Sequence, residues 1–141
     1  MKIAASAVAC VLVLVLPVAA TASKSTTYFR GPGKIYCLVS KAGGPQARCD
    51  AKQRSFSVPP RPSSCIDHDW GIGALVTGKA SDYVCTGQPL WLNPSPGEIL
   101  PVGMSVQVGQ ALCKSLKTGI RCVHTPSGHG FKISQQKLKL F

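Results

Sequence analysis

The cysteines constrain this chain more than any other residues do. Cys37, Cys49, Cys65, Cys85, Cys113 and Cys122 follow a segment that reads as a cleavable export signal, and the seventh, Cys10, lies within that segment. The signal is read from its order: Lys2, a largely apolar run over residues 3–16, a break at Pro17, then Ala20-Thr21-Ala22 as the small-residue cleavage site. An anchor would need ~20 consecutive apolar residues to cross a bilayer, and this run is shorter, so release is expected. Removing 22 of 141 residues leaves 119, and the cysteine count becomes an even six. That is the arithmetic of a disulfide framework formed in an oxidising compartment. The expected organisation is a signal peptide over residues 1–22 and one disulfide-linked domain over residues 23–141, secreted and either extracellular or associated with the cell wall. No C-x-x-C is present, which speaks against a redox pair or a zinc knuckle.

Between the cysteines, Gly and Pro separate short runs rich in Val, Ile, Leu and Tyr, a spacing that predicts many short strands and turns. Phe131-Lys132-Ile133 and Lys137-Leu138-Lys139-Leu140-Phe141 alternate apolar and basic residues with period 2, so one face enters a core and the other carries lysines. Similar alternation runs over residues 104–108, and β-favouring residues flank Cys37 and Cys85. Helix is expected at most as a short turn within residues 67–73, where Gly71 and Gly73 interrupt propagation. The predicted fold is all-β: a single small domain of short antiparallel strands and hairpins, sandwich-like or barrel-like.

The chain also repeats itself. Gly33-Lys34-Ile35-Tyr36-Cys37 leads through Lys41 and Gly43 to Arg48-Cys49; Gly109-Gln110-Ala111-Leu112-Cys113 leads through Lys117 and Gly119 to Arg121-Cys122. Each copy reads as a strand, a Gly turn and a returning strand with a cysteine on each arm. Facing cysteines meet the short Cα separation that a disulfide needs, so Cys37 pairs with Cys49 and Cys113 with Cys122. Cys65 and Cys85 are left for each other.

An ordered set of short elements extends from residue 29 to residue 141. It contains Ile35-Tyr36-Cys37, Arg48-Cys49-Asp50, Pro62-Ser63-Ser64-Cys65, Asp69-Trp70-Gly71, Tyr83-Val84-Cys85-Thr86-Gly87, Leu100-Pro101-Val102-Gly103-Met104-Ser105 and Thr125-Pro126-Ser127-Gly128-His129-Gly130-Phe131. With this set the chain resembles the small secreted actinobacterial proteins that carry a six-cysteine domain of unknown function. Arg30-Gly31-Pro32-Gly33-Lys34 stands where that family has a Ser-Pro-Ser-Gly-Asn-like turn. The resemblance implies export and one disulfide-linked domain, and it transfers no catalytic residues.

Chemical motifs are incomplete. Gly73-Ala74-Leu75-Val76-Thr77-Gly78-Lys79-Ala80 approaches a phosphate-binding loop, but Ala80 replaces the hydroxyl that would hold magnesium, so nucleotide binding is not expected and a Gly-rich turn is. His124 and His129 are five residues apart among Pro126, Gly128 and Gly130, which is turn chemistry rather than a pair of metal ligands. Asp67 and Asp69, beside His68, are expected to cap a turn. No catalytic residue, metal or cofactor is assigned. Trp70, near Cys65, is expected in the core. Trp91, among Pro89, Pro94 and Pro96, is expected as an exposed contact residue.

Charge carries the remaining functional signal. After cleavage 15 basic residues face five acidic ones, a net +10 that attracts anionic surfaces. Aromatic residues among the lysines are too few for a nucleic-acid platform. The expected role is therefore a secreted, non-catalytic binding domain that engages an anionic cell-envelope polymer or an acidic protein, with Lys132, Lys137, Lys139 and Trp91 as the binding residues. The alternatives are a small secreted hydrolase working through His and Asp, with His68, Asp69 and His129 in one cleft, and an inhibitor acting through a disulfide-held loop, for which the Pro-rich residues 88–101 are the candidate.

Overall fold

The computed structural model describes residues 25–41 and 43–141. The expected signal peptide over residues 1–22 lies outside them. Two sheets pack face to face. The first contains β1 (Thr26–Gly31), β2 (Ile35–Ser40), β3 (Ala47–Ala51), β4 (Asp69–Val76), β5 (Ser81–Thr86) and β6 (Glu98–Ile99), in the order β5-β4-β3-β2-β1-β6. The second contains β7 (Ser105–Val108), β8 (Ala111–Leu116), β9 (Gly119–His124), β10 (Gly130–Ser134) and β11 (Leu138–Leu140), in the order β11-β10-β9-β8-β7. All neighbours are antiparallel except β1 and β6. Both sheets end in edge strands, so the expected all-β fold is a sandwich rather than a closed barrel. Among the described residues no helix is long and apolar enough to cross a membrane.

The core lies between the sheets. Phe29, Ile35, Val39, Ala74 and Val76 from the first sheet meet Val108, Ile120, Phe131 and Ile133 from the second. Among the described residues three disulfides join Cys37 to Cys49, Cys65 to Cys85 and Cys113 to Cys122. The first and third bridge directly opposed residues of β2–β3 and β8–β9, each with Cα atoms 4.1 Å apart. The two copies of the sequence repeat are thus the central hairpins of the two sheets. Their bridges meet across the core, with Cys49 Sγ 3.9 Å from Cys122 Sγ.

Two segments differ from the sequence expectation. The only turn of helix near residues 67–73 comes earlier, as the 3₁₀ turn Ser63–Cys65, and the chain is extended from Asp69 onward. Likewise, only residues 77–80 of the run Gly73 to Ala80 form a turn; Gly73 to Val76 finish β4. Glycine permits this strand. A Cβ on Gly73 would lie 1.9 Å from the Cys49 carbonyl oxygen, and Gly71 (φ +66°) forms a bulge in β4 where a Cβ would strike Val58.

Candidate functional site

The outer face of the second sheet collects the basic residues of the C-terminal part of the chain. Inward-pointing Cys113, Cys122, Phe131 and Ile133 are fully buried, and period-2 alternation sends their neighbours outward. Lys132 and Lys139 are directly opposed on β10 and β11, Lys132 opposes Arg121 on β9, and Arg121 opposes Lys114 on β8. Four exposed cations therefore stand in one line across four adjacent strands, spaced by the ~4.8 Å between strands. Ser105 of β7 ends the line. Lys132, Lys137 and Lys139, singled out by the sequence, line a shallow groove of about 420 Å³ beside this row, and all three are exposed.

Lys114 and Arg121 escaped the sequence reading, although the signal was present. Each is the chain neighbour of a bridged cysteine, so the disulfide that pairs Cys113 with Cys122 on the inner face also pairs Lys114 with Arg121 on the outer one. No acidic side chain follows Glu98 in the chain, whereas six Lys and Arg residues do. Among the described residues none of the four cations forms an ion pair with a carboxylate side chain; Arg121 instead lies 4.8 Å over the ring of Phe141.

Trp91 does not join this site. It sits half-buried in the 3₁₀ turn Leu90–Leu92, which lies against the outside of the first sheet, on the opposite side of the sandwich. That turn is held by Asp50, whose Oδ2 accepts from the Leu90 backbone N–H at 2.9 Å. Arg48 binds the same carboxylate, donating from Nε to Oδ1 at 2.9 Å and from Nη2 to Oδ2 at 2.6 Å. Burial raises the Asp50 pKa above its ordinary value, and the opposing pull of Arg48 and of the Leu90 N–H does not cancel it. Trp70 also stands apart from the core. It is half-buried, tilts against Tyr83 at 5.7 Å, and donates from Nε1 to the Pro59 carbonyl at 2.9 Å.

The histidines lie at opposite ends of the molecule. His68 packs at Gly87, beside the start of β4 at Asp69. His129 belongs to the β9–β10 turn, where its carbonyl accepts from the His124 N–H at 2.8 Å, and the His124 ring lies next to Gly78, beyond the other end of β4. An eight-residue strand holds these ends roughly 20 Å apart at ~3.3 Å per residue. His68, Asp69 and His129 are therefore not brought into one cleft. His124 itself is buried, with Nδ1 2.7 Å from Ser127 Oγ and Nε2 3.2 Å from Gln110 Oε1, so both ring nitrogens tie down the turn. Among the described residues no three His, Cys, Asp or Glu side chains are placed to hold a metal ion.

Fold and cysteines together define a small disulfide-linked β-sandwich with one basic sheet face. Over residues 7–141 the chain matches the family of unknown function DUF6636, and it belongs to that family. No curated protein and no solved structure matches it.

Proposed function

We propose that this protein is an exported, non-catalytic binding domain that engages an anionic polymer of the cell envelope through the outer face of its second sheet. The observation that carries this reading is the in-register row of Lys114, Arg121, Lys132 and Lys139 on a sheet without a single acidic side chain. Like charges directly opposed on neighbouring strands destabilise a sheet. A row of three such pairs is a cost to folding that a bound polyanion removes. Export agrees with the leader-like residues 1–22, with three disulfides, and with the likeness to secreted actinobacterial proteins.

Retention on isolated envelopes tests the proposal. Oxidised protein is expected to be retained at about 0.1 M salt and released toward about 1 M, where the Debye length contracts from ~10 Å to ~3 Å. The variant with Lys114→Gln, Lys132→Gln and Lys139→Gln should lose most of that retention without losing its fold. Retention that is indifferent both to salt and to these substitutions, at unchanged melting temperature, would reduce the row to a solvated surface.

A further inference from the structure

The outer face of the second sheet carries a second row, parallel to the cations and one step along the strands. Gln107 opposes Leu112, Leu112 opposes Val123, and Val123 opposes Gly130. Gly130 exchanges backbone hydrogen bonds with Phe141 at 2.8 and 2.9 Å, and the Phe141 ring covers the space where a Gly130 side chain would be. Leu112 and Val123 are half-buried and Phe141 is 37% exposed, so an apolar strip runs beside the charged line. The two rows are ~7 Å apart, two residues along each strand. Their β7 ends are Ser105 and Gln107, both exposed and both able to bond hydroxyl groups.

From this geometry we infer the chemical class of the ligand: a linear acidic polysaccharide lying across the strands, its anionic groups on the cation row and its sugar faces on the apolar strip. The inference rests on the polyanion-binding role proposed above. Cations set one per strand across adjacent strands match an extended chain with regularly repeated charges. The C–H faces of pyranose rings match a shallow apolar strip. Single-stranded nucleic acid needs a series of open aromatic faces for its bases; here the strip offers one ring, Phe141, with the Arg121 guanidinium lying over it. A lipid surface needs apolar side chains raised clear of the fold, and Leu112 and Val123 are instead set into the sheet.

Calorimetric titration of the oxidised protein at low salt separates these ligands. The probes are oligogalacturonates from disaccharide to octasaccharide, linear polyphosphate of matched charge, and phosphatidylglycerol vesicles. Affinity for the oligogalacturonates is expected to rise with length and to level off once the chain spans the four cations, ~14 Å across three inter-strand steps. Lys132→Gln should weaken both the sugar and polyphosphate, about fivefold each. The paired change Leu112→Thr and Val123→Thr keeps β-favouring side chains and should weaken the oligogalacturonates severalfold while leaving polyphosphate unchanged. Polyphosphate or vesicles binding as tightly as the sugars, with the threonine variant silent, would overturn the polysaccharide inference and leave the polyanion role standing. If none of the three anions binds, the polyanion role falls as well.

Discussion

Asp50 is a fully buried carboxylate held from two sides: Arg48 satisfies its charge, and the Leu90 N–H docks the segment after β5 onto β3. Desolvation outweighs both partners, and the pKa lies above the ordinary carboxylate value. A carboxyl that binds its proton more tightly in the native than in the unfolded state adds stability that is fully present below the unfolded pKa, and loses it as pH rises through the folded one. Asp50→Asn removes that dependence while preserving shape. Melting curves between about pH 3 and pH 7 should therefore show the stability difference between wild type and Asp50→Asn shifting in favour of Asn as pH rises. A shift in the opposite direction would mean that the Arg48 pair, not burial, sets the protonation of this site. Lys34 offers a second test, because it holds a left-handed backbone (φ 58°) in the turn between β1 and β2, a conformation costing a side-chain-bearing residue about 1 kcal/mol. Asn tolerates that region better than Lys, so Lys34→Asn should raise the melting temperature, with a gain of up to about 1 kcal/mol in denaturant titration.

The hairpins show why part of this fold was legible in the sequence. In β2–β3 and β8–β9 the turn, the alternation and the pair of cysteines all lie within about fifteen residues of chain, so local spacing alone fixes both register and bridge. The lysines of β10 and β11 were legible for the same reason. Lys114 and Arg121 face each other within the legible β8–β9 hairpin, but joining them to Lys132 and Lys139 required the pairing of β9 with β10, which that hairpin does not display. β4 was hidden more deeply, because its glycines read as turn residues until β3 and Val58 are placed against them. Which sheet face the Trp91 turn covers, and which end of β4 His68 and Asp69 occupy relative to His129, are tertiary information. The same hairpin logic orders the disulfides energetically. Chain entropy favours Cys65–Cys85, whose longer loop is worth about 3.3 kcal/mol against about 2.7 for Cys113–Cys122. Packing opposes that order: Cys113 and Cys122 are both fully buried and Cys122 touches Cys49, whereas Cys85 is exposed. Each buried heavy atom removed costs about 1 kcal/mol. Cys65 is buried too, so replacing Cys113 and Cys122 by Ala removes one more buried sulfur than replacing Cys65 and Cys85, and with the loop term subtracted it should destabilise the domain more by about 0.4 kcal/mol; denaturant titration of the two double variants would show the reverse order if loop entropy dominates.

At the scale of the whole molecule the sandwich separates its charges, because all five carboxylate side chains belong to the first sheet and its loops while the second sheet carries none. This asymmetry leaves the cation row uncompensated by acidic side chains within its own sheet. Lys132 stands near its centre, opposed by Arg121 on one side and Lys139 on the other. At ~5 Å, these neighbours lie well within the ~10 Å Debye length at 0.1 M salt and outside the ~3 Å of 1 M. Lys132→Gln removes two repulsive pairs at once, so it should stabilise the free protein by about 0.5 kcal/mol at low salt, and the gain should vanish near 1 M. A polyanion should reverse the sign: in its presence wild type gains stability by mass action and the variant gains less. The two melting series, with and without oligogalacturonate, then cross. Such a crossing is the signature of a surface that gives up stability in order to bind. If Lys132→Gln instead lowers the melting temperature at every salt concentration, the aliphatic stem of Lys132 packs on the sheet more strongly than its charge repels, and the row carries no stored repulsion for a ligand to relieve.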